Sequence, residues 1–258
     1  MRPRLEWEKT YLLAADYGES WGTPWDKVID FDKSRLGFLG DCQATTLCCF
    51  LDACREVNID QLKNLSFGGQ SLWDTSAPPS GDRDARVFKA TRFGEKAHGP
   101  PGKESYFMQA LIRCFESLGA GGPPHGAIWS VDTESLGRAM RQLMRRTLIP
   151  DVGPGACDIG GASNTPEPTM LHELPGVACA LGEIAYSPET ALQHAQLSYR
   201  LAGSKDSLTI RTPACADSWK IEVPAGSYDV AAQFQNGQYP ARSVPGQIIW
   251  PPFTPCRL

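Results

Sequence analysis

The sequence predicts an α/β layered domain followed by a small β-rich domain. Strand-like and helix-like segments alternate up to Pro150, a pattern typical of layered α/β domains. Residues 151–168 are rich in Gly, Pro, Ser and Asn and have almost no large apolar residues, as in a linker. Short apolar runs separated by turn residues follow. The predicted division is therefore a domain over residues 1–149, a linker over 150–170 and a β-rich domain over 171–258.

The predicted strands of the first domain are short and apolar. The run over residues 45–51 is almost continuously apolar and is bounded by polar residues. Such a run is typical of a central strand that is buried on both faces of a parallel sheet. The other predicted strands lie at residues 10–15, 85–91 and 128–131.

Three segments of the first domain are amphipathic. A short stretch covers residues 33–41. A helix follows Ser105, a favourable N-cap residue, and ends at Gly119, a typical stop signal. Another helix begins at Thr133 and carries apolar residues on one face. The remaining face of that helix is basic and is predicted to be solvated, with Arg138, Arg141, Arg145 and Arg146.

The C-terminal runs predict a small antiparallel sheet or half-sandwich. The pair Asn236-Gly237 is a good signal for a hairpin turn. The predicted strands lie at residues 177–184, 208–211, 219–223, 228–234 and 248–250.

Composition excludes several classes of protein. The chain has 258 residues, with 25 Lys and Arg against 29 Asp and Glu, so its formal charge is −4. That balance argues against a nucleic-acid binder and against a polybasic membrane-surface module. No apolar run is long enough to cross a bilayer, and the first eight residues do not read as a signal peptide.

The nine cysteines do not form a C-x-x-C pair anywhere in the sequence. A zinc ribbon or a thioredoxin-type motif is therefore not expected, and no metal or other cofactor is predicted. An odd number of scattered cysteines fits a reducing compartment, so we expect a cytoplasmic protein.

One cysteine lies at a position that is typical of a catalytic residue. Cys54 lies just past the carboxyl end of the apolar run, where open α/β sheets place their sites. A cysteine becomes a nucleophile when a base, a helix N-terminus or nearby cations stabilise its thiolate. Asp52 and Arg55 flank it.

Two strings resemble the caspase family of cysteine peptidases. The string F-L-D-A-C-R-E around Cys54 resembles the nucleophile motif Q-A-C-R-G, with Asp52 in place of Gln and Glu56 in place of Gly. An Asp two residues before the cysteine is similar to metacaspases and bacterial caspase-like peptidases. The string S-Y-F-M-Q-A-L, which begins at Ser105, resembles the S-W-F-x-Q-x-L segment of caspases. The resemblance covers about residues 10–147.

The resemblance implies a fold and an activity. The expected fold is a three-layer caspase-like sheet with flanking helices, and the expected activity is that of an endopeptidase with Cys54 as the catalytic nucleophile. Caspase-type catalysis uses a His base roughly 50 residues upstream of the cysteine. That position falls near Pro3 and Arg4, neither of which accepts a proton. We therefore expect the N-terminal part that carries the His and the first strands of the sheet to be missing from this chain.

The four histidines all lie after Cys54 in the sequence. None is predicted to be the base, and His98, followed by Gly99, is the first substitute to consider. The chain as given is expected to be almost inactive, whether it is a truncated copy or a true pseudo-peptidase.

The resemblance also implies a substrate. Asp52 is predicted to bind the P1 side chain, so the intact protein is expected to cleave after Arg or Lys. The alternative is that Asp52 caps a backbone N–H or pairs with Arg55. The expected partner is a peptide or protein substrate, and no oligomeric state is predicted. Two other functions stay open: an inactive caspase-homology module for protein interaction, and an unrelated α/β protein in which Cys54 is inert.

Overall fold

A computed structural model of the chain describes residues 10–13, 28–55, 69–74, 81–122, 128–148, 157–163, 165–205, 208–235 and 237–258. Within these residues the protein has an α/β fold with mixed sheets and few helices. The chain divides into two compact units. Unit 1 comprises Met1–Ala97 and Asp158–Glu167, and unit 2 comprises His98–Cys157 and Pro168–Leu258.

Short strands make up most of the regular structure. The first elements are β1 (Tyr11–Leu13), β2 (Val28–Asp30), α1 (Phe31–Asp41), β3 (Thr46–Leu51) and β4 (Asp84–Lys89). The middle elements are α2 (Tyr106–Arg113), β5 (Ser130–Asp132), α3 (Thr133–Leu143), β6 (Asp158–Ser163) and β7 (Met170–Glu173). The last elements are β8 (Cys179–Ala185), β9 (Gln196–Leu201), β10 (Thr209–Ile210), β11 (Trp219–Pro224), β12 (Gly226–Gln233), β13 (Arg242–Ile249) and β14 (Phe253–Arg257).

The main sheet of unit 1 has the strand order β3-β4-β6. β3 runs parallel to β4, with Leu51 beside Lys89, so both strands end at the same edge of the sheet. Phe50 stacks on Phe88 at 4.9 Å between ring centroids. The prediction that β3 is a central strand buried on both faces is wrong. Within the described residues β3 has a neighbour on one side only, and its side chains are half-buried or exposed.

The predicted linker contains a strand. β6 lies inside residues 150–170 and pairs antiparallel with β4 along its whole length. Its sequence, D-I-G-G-A-S, has few apolar side chains because the strand approaches β4 closely through its backbone. Gly161 has a φ of +100°, and a Cβ there would lie 2.0 Å from the carbonyl oxygen of Ala85. Gly161, one of the residues that suggested a linker, is therefore what lets the strand pair closely.

The two helices of unit 2 begin where the sequence predicts. The Ser105 side chain accepts a hydrogen bond from the backbone N–H of Met108, and α2 continues as a π-helical turn to Leu118. α3 begins with an Asp132 capping box and continues as a π-helical turn to Leu148. No helix in the described part of the chain is long and apolar enough to span a membrane.

The unit division differs from the predicted domain boundaries at residues 149 and 171. It groups α2 and α3 with the C-terminal strands rather than with β3 and β4. Side chains of α2 and of the turn after it contact those strands. The Arg113 guanidinium is 2.8 Å from the Glu222 carboxylate of β11, and the Ser117 hydroxyl accepts a hydrogen bond from the Cys179 N–H of β8.

The C-terminal strands form a sandwich of two sheets. One sheet has the order β10-β9-β12-β13 and the other has the order β11-β8-β14. The sequence predicted a single small sheet or a half-sandwich, whereas the structure has two sheets. One core lies between the sheets, with Ile184 and Ile221 from one side and Leu197, Val230 and Ile249 from the other. β13 contains Pro245 and Gly246, and β14 contains Pro255, which is why the sequence signal for these strands is weak.

The strand order of the sandwich follows the immunoglobulin type in part, although β10 pairs with β9 instead of with β11, where the fourth strand of that type would lie. There the second strand pairs with the fifth, and the third, sixth and seventh strands form the opposite sheet. β8 with β11, and β9 with β12 and β13, follow this order. The Tyr228 hydroxyl also donates a hydrogen bond of 2.7 Å to the carbonyl of Pro224, as in the tyrosine corner of such sandwiches. β14 occupies the place of the first strand, but it runs parallel to β8.

Candidate active site

Cys54 lies three residues after the end of β3 and is exposed. The segments that follow β3 and β4 stay paired beyond the regular sheet, because the Ala90 N–H donates a hydrogen bond of 2.9 Å to the carbonyl of Leu51. The carboxyl ends of the two parallel strands therefore bring residues 52–55 and 90–97 together. This is the edge at which α/β sheets commonly carry their sites.

Backbone hydrogen bonds hold the Cys54 segment against the segment after β4. The Arg55 N–H donates to the carbonyl of Glu95 at 2.9 Å, and the Gly94 N–H donates to the carbonyl of Arg55 at 2.7 Å. The Ala97 N–H points at the sulfur of Cys54, with 3.3 Å between N and Sγ. A sulfur accepts such a bond better when it is negative, so this amide is a donor suited to a thiolate.

Arg55 fixes the same segment through its side chain. Its guanidinium is 2.9 Å from the Asp158 carboxylate at the start of β6, and it lies 5.7 Å from the centre of the Phe93 ring. The Arg55 side chain is only 14% exposed. The sequence did not predict Phe93, Ala97 and Asp158 as site residues, because residues distant in sequence meet only after the strands pair.

Asp52, the predicted substrate-binding residue, is exposed one residue past the end of β3. The structure thus places both predicted site residues, Asp52 and Cys54, at the same end of the same strand and leaves both accessible. In the alternative role, in which Asp52 pairs with Arg55, Asp52 would share the Arg55 guanidinium with Asp158.

The two cysteines inside β3 differ chemically from Cys54. Burial raises the pKa of the Cys48 thiol to about 11, and the nearby Asp84 carboxylate and Cys49 add to that rise. Burial also raises the pKa of Cys49. Both residues therefore remain neutral thiols near neutral pH and are poor nucleophiles.

No histidine belongs to unit 1. His98 follows Ala97 directly in the chain and is exposed, as are His172 on β7 and His194. His125 lies outside the described residues, as do Glu56 and the aligned base position at residues 3 and 4. In the part of the chain that the structure describes, no group of three or more His, Cys, Asp and Glu side chains is arranged to hold a metal ion.

Comparisons with known proteins assign no family. No protein-family model matches the chain, and no curated protein is significantly similar to it.

Proposed function

We propose that this protein is a caspase-like cysteine endopeptidase in which Cys54 is the nucleophile. The observation that carries the proposal is the position of Cys54: it is exposed at the carboxyl edge of parallel strands, with the Ala97 amide directed at its sulfur. The resemblance of the strings around Cys54 and Ser105 to caspase motifs supports the same function. We also propose that the protein has the fold of that family, a three-layer caspase-like sheet with flanking helices.

The proposed reaction is nucleophilic acyl transfer. The Cys54 sulfur attacks the scissile carbonyl carbon, the C–N bond breaks, and the amine leaves with a proton. Water then hydrolyses the thioester and releases the acid. Proton transfer in both steps needs a general acid and base, and unit 1 contains no histidine for this role. We therefore expect very slow turnover by this chain alone.

Asp52 is proposed to select the P1 side chain. Its carboxylate is exposed in the free protein, and a bound substrate would cover it. An Arg side chain satisfies a carboxylate with two parallel hydrogen bonds, and Lys satisfies it with one charge-assisted bond. The protein should therefore prefer Arg, and then Lys, over Asp at P1.

Labelling with peptide acyloxymethyl ketones tests both roles without requiring turnover. Four peptides that differ only at P1, with Arg, Lys, Gln or Asp, are incubated with the full chain, and labelling rates are read by intact mass. We expect labelling at Cys54, lost in Cys54→Ala, with Arg and Lys about tenfold faster than Asp. Asp52→Asn should remove this preference, whereas Asp82→Asn, at another exposed carboxylate of unit 1, should retain it.

Two results would contradict the proposal. Labelling rates that do not depend on P1 would exclude Asp52 as the selecting residue, and failure of every peptide ketone to label Cys54 would exclude the peptidase site. If the protein hydrolyses a simple peptide amide rapidly and Cys54→Ala abolishes this activity, the expectation of low activity is wrong. His98→Ala would then be the first variant to examine as the base.

The second candidate is an inactive caspase-homology module that binds a peptide or protein. The specific observation in its favour is that unit 1 contains no histidine. In this case Cys54→Ala would bind the same Arg-containing peptides as the wild type, as measured by fluorescence anisotropy. Neither protein would hydrolyse them, even with added imidazole as a substitute base.

A further inference from the structure

The outer face of α3 and of the turn after it carries a line of arginines. Arg138, Arg141 and Arg145 are all exposed, while Leu136 and Leu143 on the opposite side are buried. We call Arg138, Arg141 and Arg145 the arginine stripe. Their spacing of three and four residues places the guanidinium groups on one side of the helix, over a length of about 10 Å.

The charge of the arginine stripe is not neutralised within the part of the chain that the structure describes. None of its three guanidinium groups forms an ion pair there, whereas Arg55, Arg86 and Arg113 each contact a carboxylate. Glu134 lies on the same face in the first turn of α3, but it does not form an ion pair with Arg138. The next residue, Arg146, packs its guanidinium on the ring of Phe253 at 4.6 Å instead.

This arrangement costs the helix stability. Like charges three and four residues apart repel, and each such pair destabilises a helix by a few tenths of a kcal/mol. An exposed helix face is more stable when acidic residues alternate with basic ones. The cost of the arginine stripe is therefore offset only when anionic groups from outside the helix lie against it.

We propose that the arginine stripe is a docking surface for a carboxylate-rich segment of a partner protein. All three cations are Arg, which binds carboxylates with two parallel hydrogen bonds. A helix with acidic residues three and four positions apart has the same spacing and can pair with all three. Nucleic acid is disfavoured because the formal charge of the chain is −4 and three cations provide few contacts to a phosphate backbone. The proposal does not depend on Cys54.

Binding of acidic peptides by the full chain tests this proposal. The probe is a fluorescein-labelled helical peptide with Glu at every third or fourth position, and its partner probe has Gln at the same positions. The test variant reverses the arginine stripe (R138E, R141E and R145E). The matched control reverses three other exposed cations of unit 2, which are Lys205, Lys220 and Arg257. Circular dichroism checks the folding of each variant, and a triple Arg→Gln variant replaces the reversal if that variant does not fold.

We expect the Glu probe to bind the wild type and the Gln probe to bind it about tenfold more weakly. Each exposed ion pair contributes about a factor of two, so reversal of the arginine stripe should weaken binding about tenfold while the control changes little. A probe with Lys in place of Glu should bind the reversed variant but not the wild type. Equal losses in both variants, or no binding of the Glu probe, would overturn the proposal. Tighter binding of single-stranded RNA or of anionic vesicles than of the Glu probe would also overturn it.

Discussion

At the scale of single residues, position separates one cysteine from its neighbours. Cys54 is exposed beyond the end of β3, whereas Cys48 and Cys49 lie within the strand, where burial raises the pKa of each thiol. Three cysteines within seven residues therefore have different chemistry. The carboxyl end of a strand is where a side chain leaves the sheet and reaches solvent.

Alkylation should distinguish these thiols. With limiting iodoacetamide at about pH 8, we expect Cys54 to be modified before Cys48. A thiol with a pKa of about 11 is ionised in only about one molecule in a thousand at that pH, and only the thiolate reacts. Peptide mapping by mass spectrometry measures the order of modification. Cys48 modified as fast as Cys54 would contradict the raised pKa of the Cys48 thiol.

At the scale of elements, β6 depends on a close backbone approach. Gly161→Ala should destabilise the protein by about 2–3 kcal/mol, because its φ of +100° and the 2.0 Å approach to the Ala85 carbonyl both exclude a Cβ. Differential scanning fluorimetry should show a loss of roughly 5–10 °C in Tm. Gly160→Ala is the matched control, since nothing lies within 4 Å of a Cβ there. Equal Tm values for the two variants would argue against β6 as a strand.

The sandwich of unit 2 depends on the corner between β11 and β12. Tyr228→Phe removes the hydroxyl that donates to Pro224, which should cost about 1 kcal/mol. Tyr199→Phe is the control, because the Tyr199 hydroxyl makes no hydrogen bond within the described residues while its ring packs in the same core. Urea unfolding followed by tryptophan fluorescence should show the loss only for Tyr228→Phe. Losses of the same size in both variants would indicate that the hydroxyl does not fix the corner.

At the scale of the whole molecule, buried thiols make stability depend on pH. Burial raises the pKa of Cys114 to about 12, with the nearby Cys157 adding to the rise, and raises that of Cys256 to about 11. An unfolded cysteine ionises near pH 8.5. Below that pH the thiols keep their protons in both the folded and the unfolded state, so they do not lower the free energy of unfolding. As pH rises from about 9 towards 12, the unfolded chain loses protons first, so stability falls.

This slope can be measured and assigned. The free energy of unfolding should fall by about 1 kcal/mol per pH unit for each buried thiol between about pH 9 and 11. Cys114→Ala should show a shallower slope than the wild type, even if its stability at neutral pH is lower. Val131→Ala, which removes buried apolar volume but no titratable group, is the control that keeps the slope. A Cys114→Ala variant with an unchanged slope would show that this thiol does not contribute.

Local signals in the sequence were sufficient for several elements. Ser105 predicted the start of α2 because a helix cap is a local interaction: the Ser105 hydroxyl accepts a hydrogen bond from the backbone N–H of Met108, only three positions away. The apolar run over residues 45–51 predicted β3, and the position of Cys54 just after it follows from the sequence alone. Cys54 was predicted as a site residue partly on that basis, whereas the role of Asp52 was predicted from the resemblance to metacaspases. Whether they act in peptide cleavage stays a prediction.

The sequence by itself determined where most helices and strands form, since turns, caps and apolar periodicity act over a few residues. Only the tertiary structure decided the rest. β6 is a strand because the backbone of β4 lies beside it, and Arg55 is fixed by an Asp158 that lies 103 residues away. β14, which carries Pro255, likewise becomes a strand because it pairs with β8. These features depend on pairing between distant segments, and neither backbone hydrogen bonds nor long-range ion pairs leave a pattern in the local sequence.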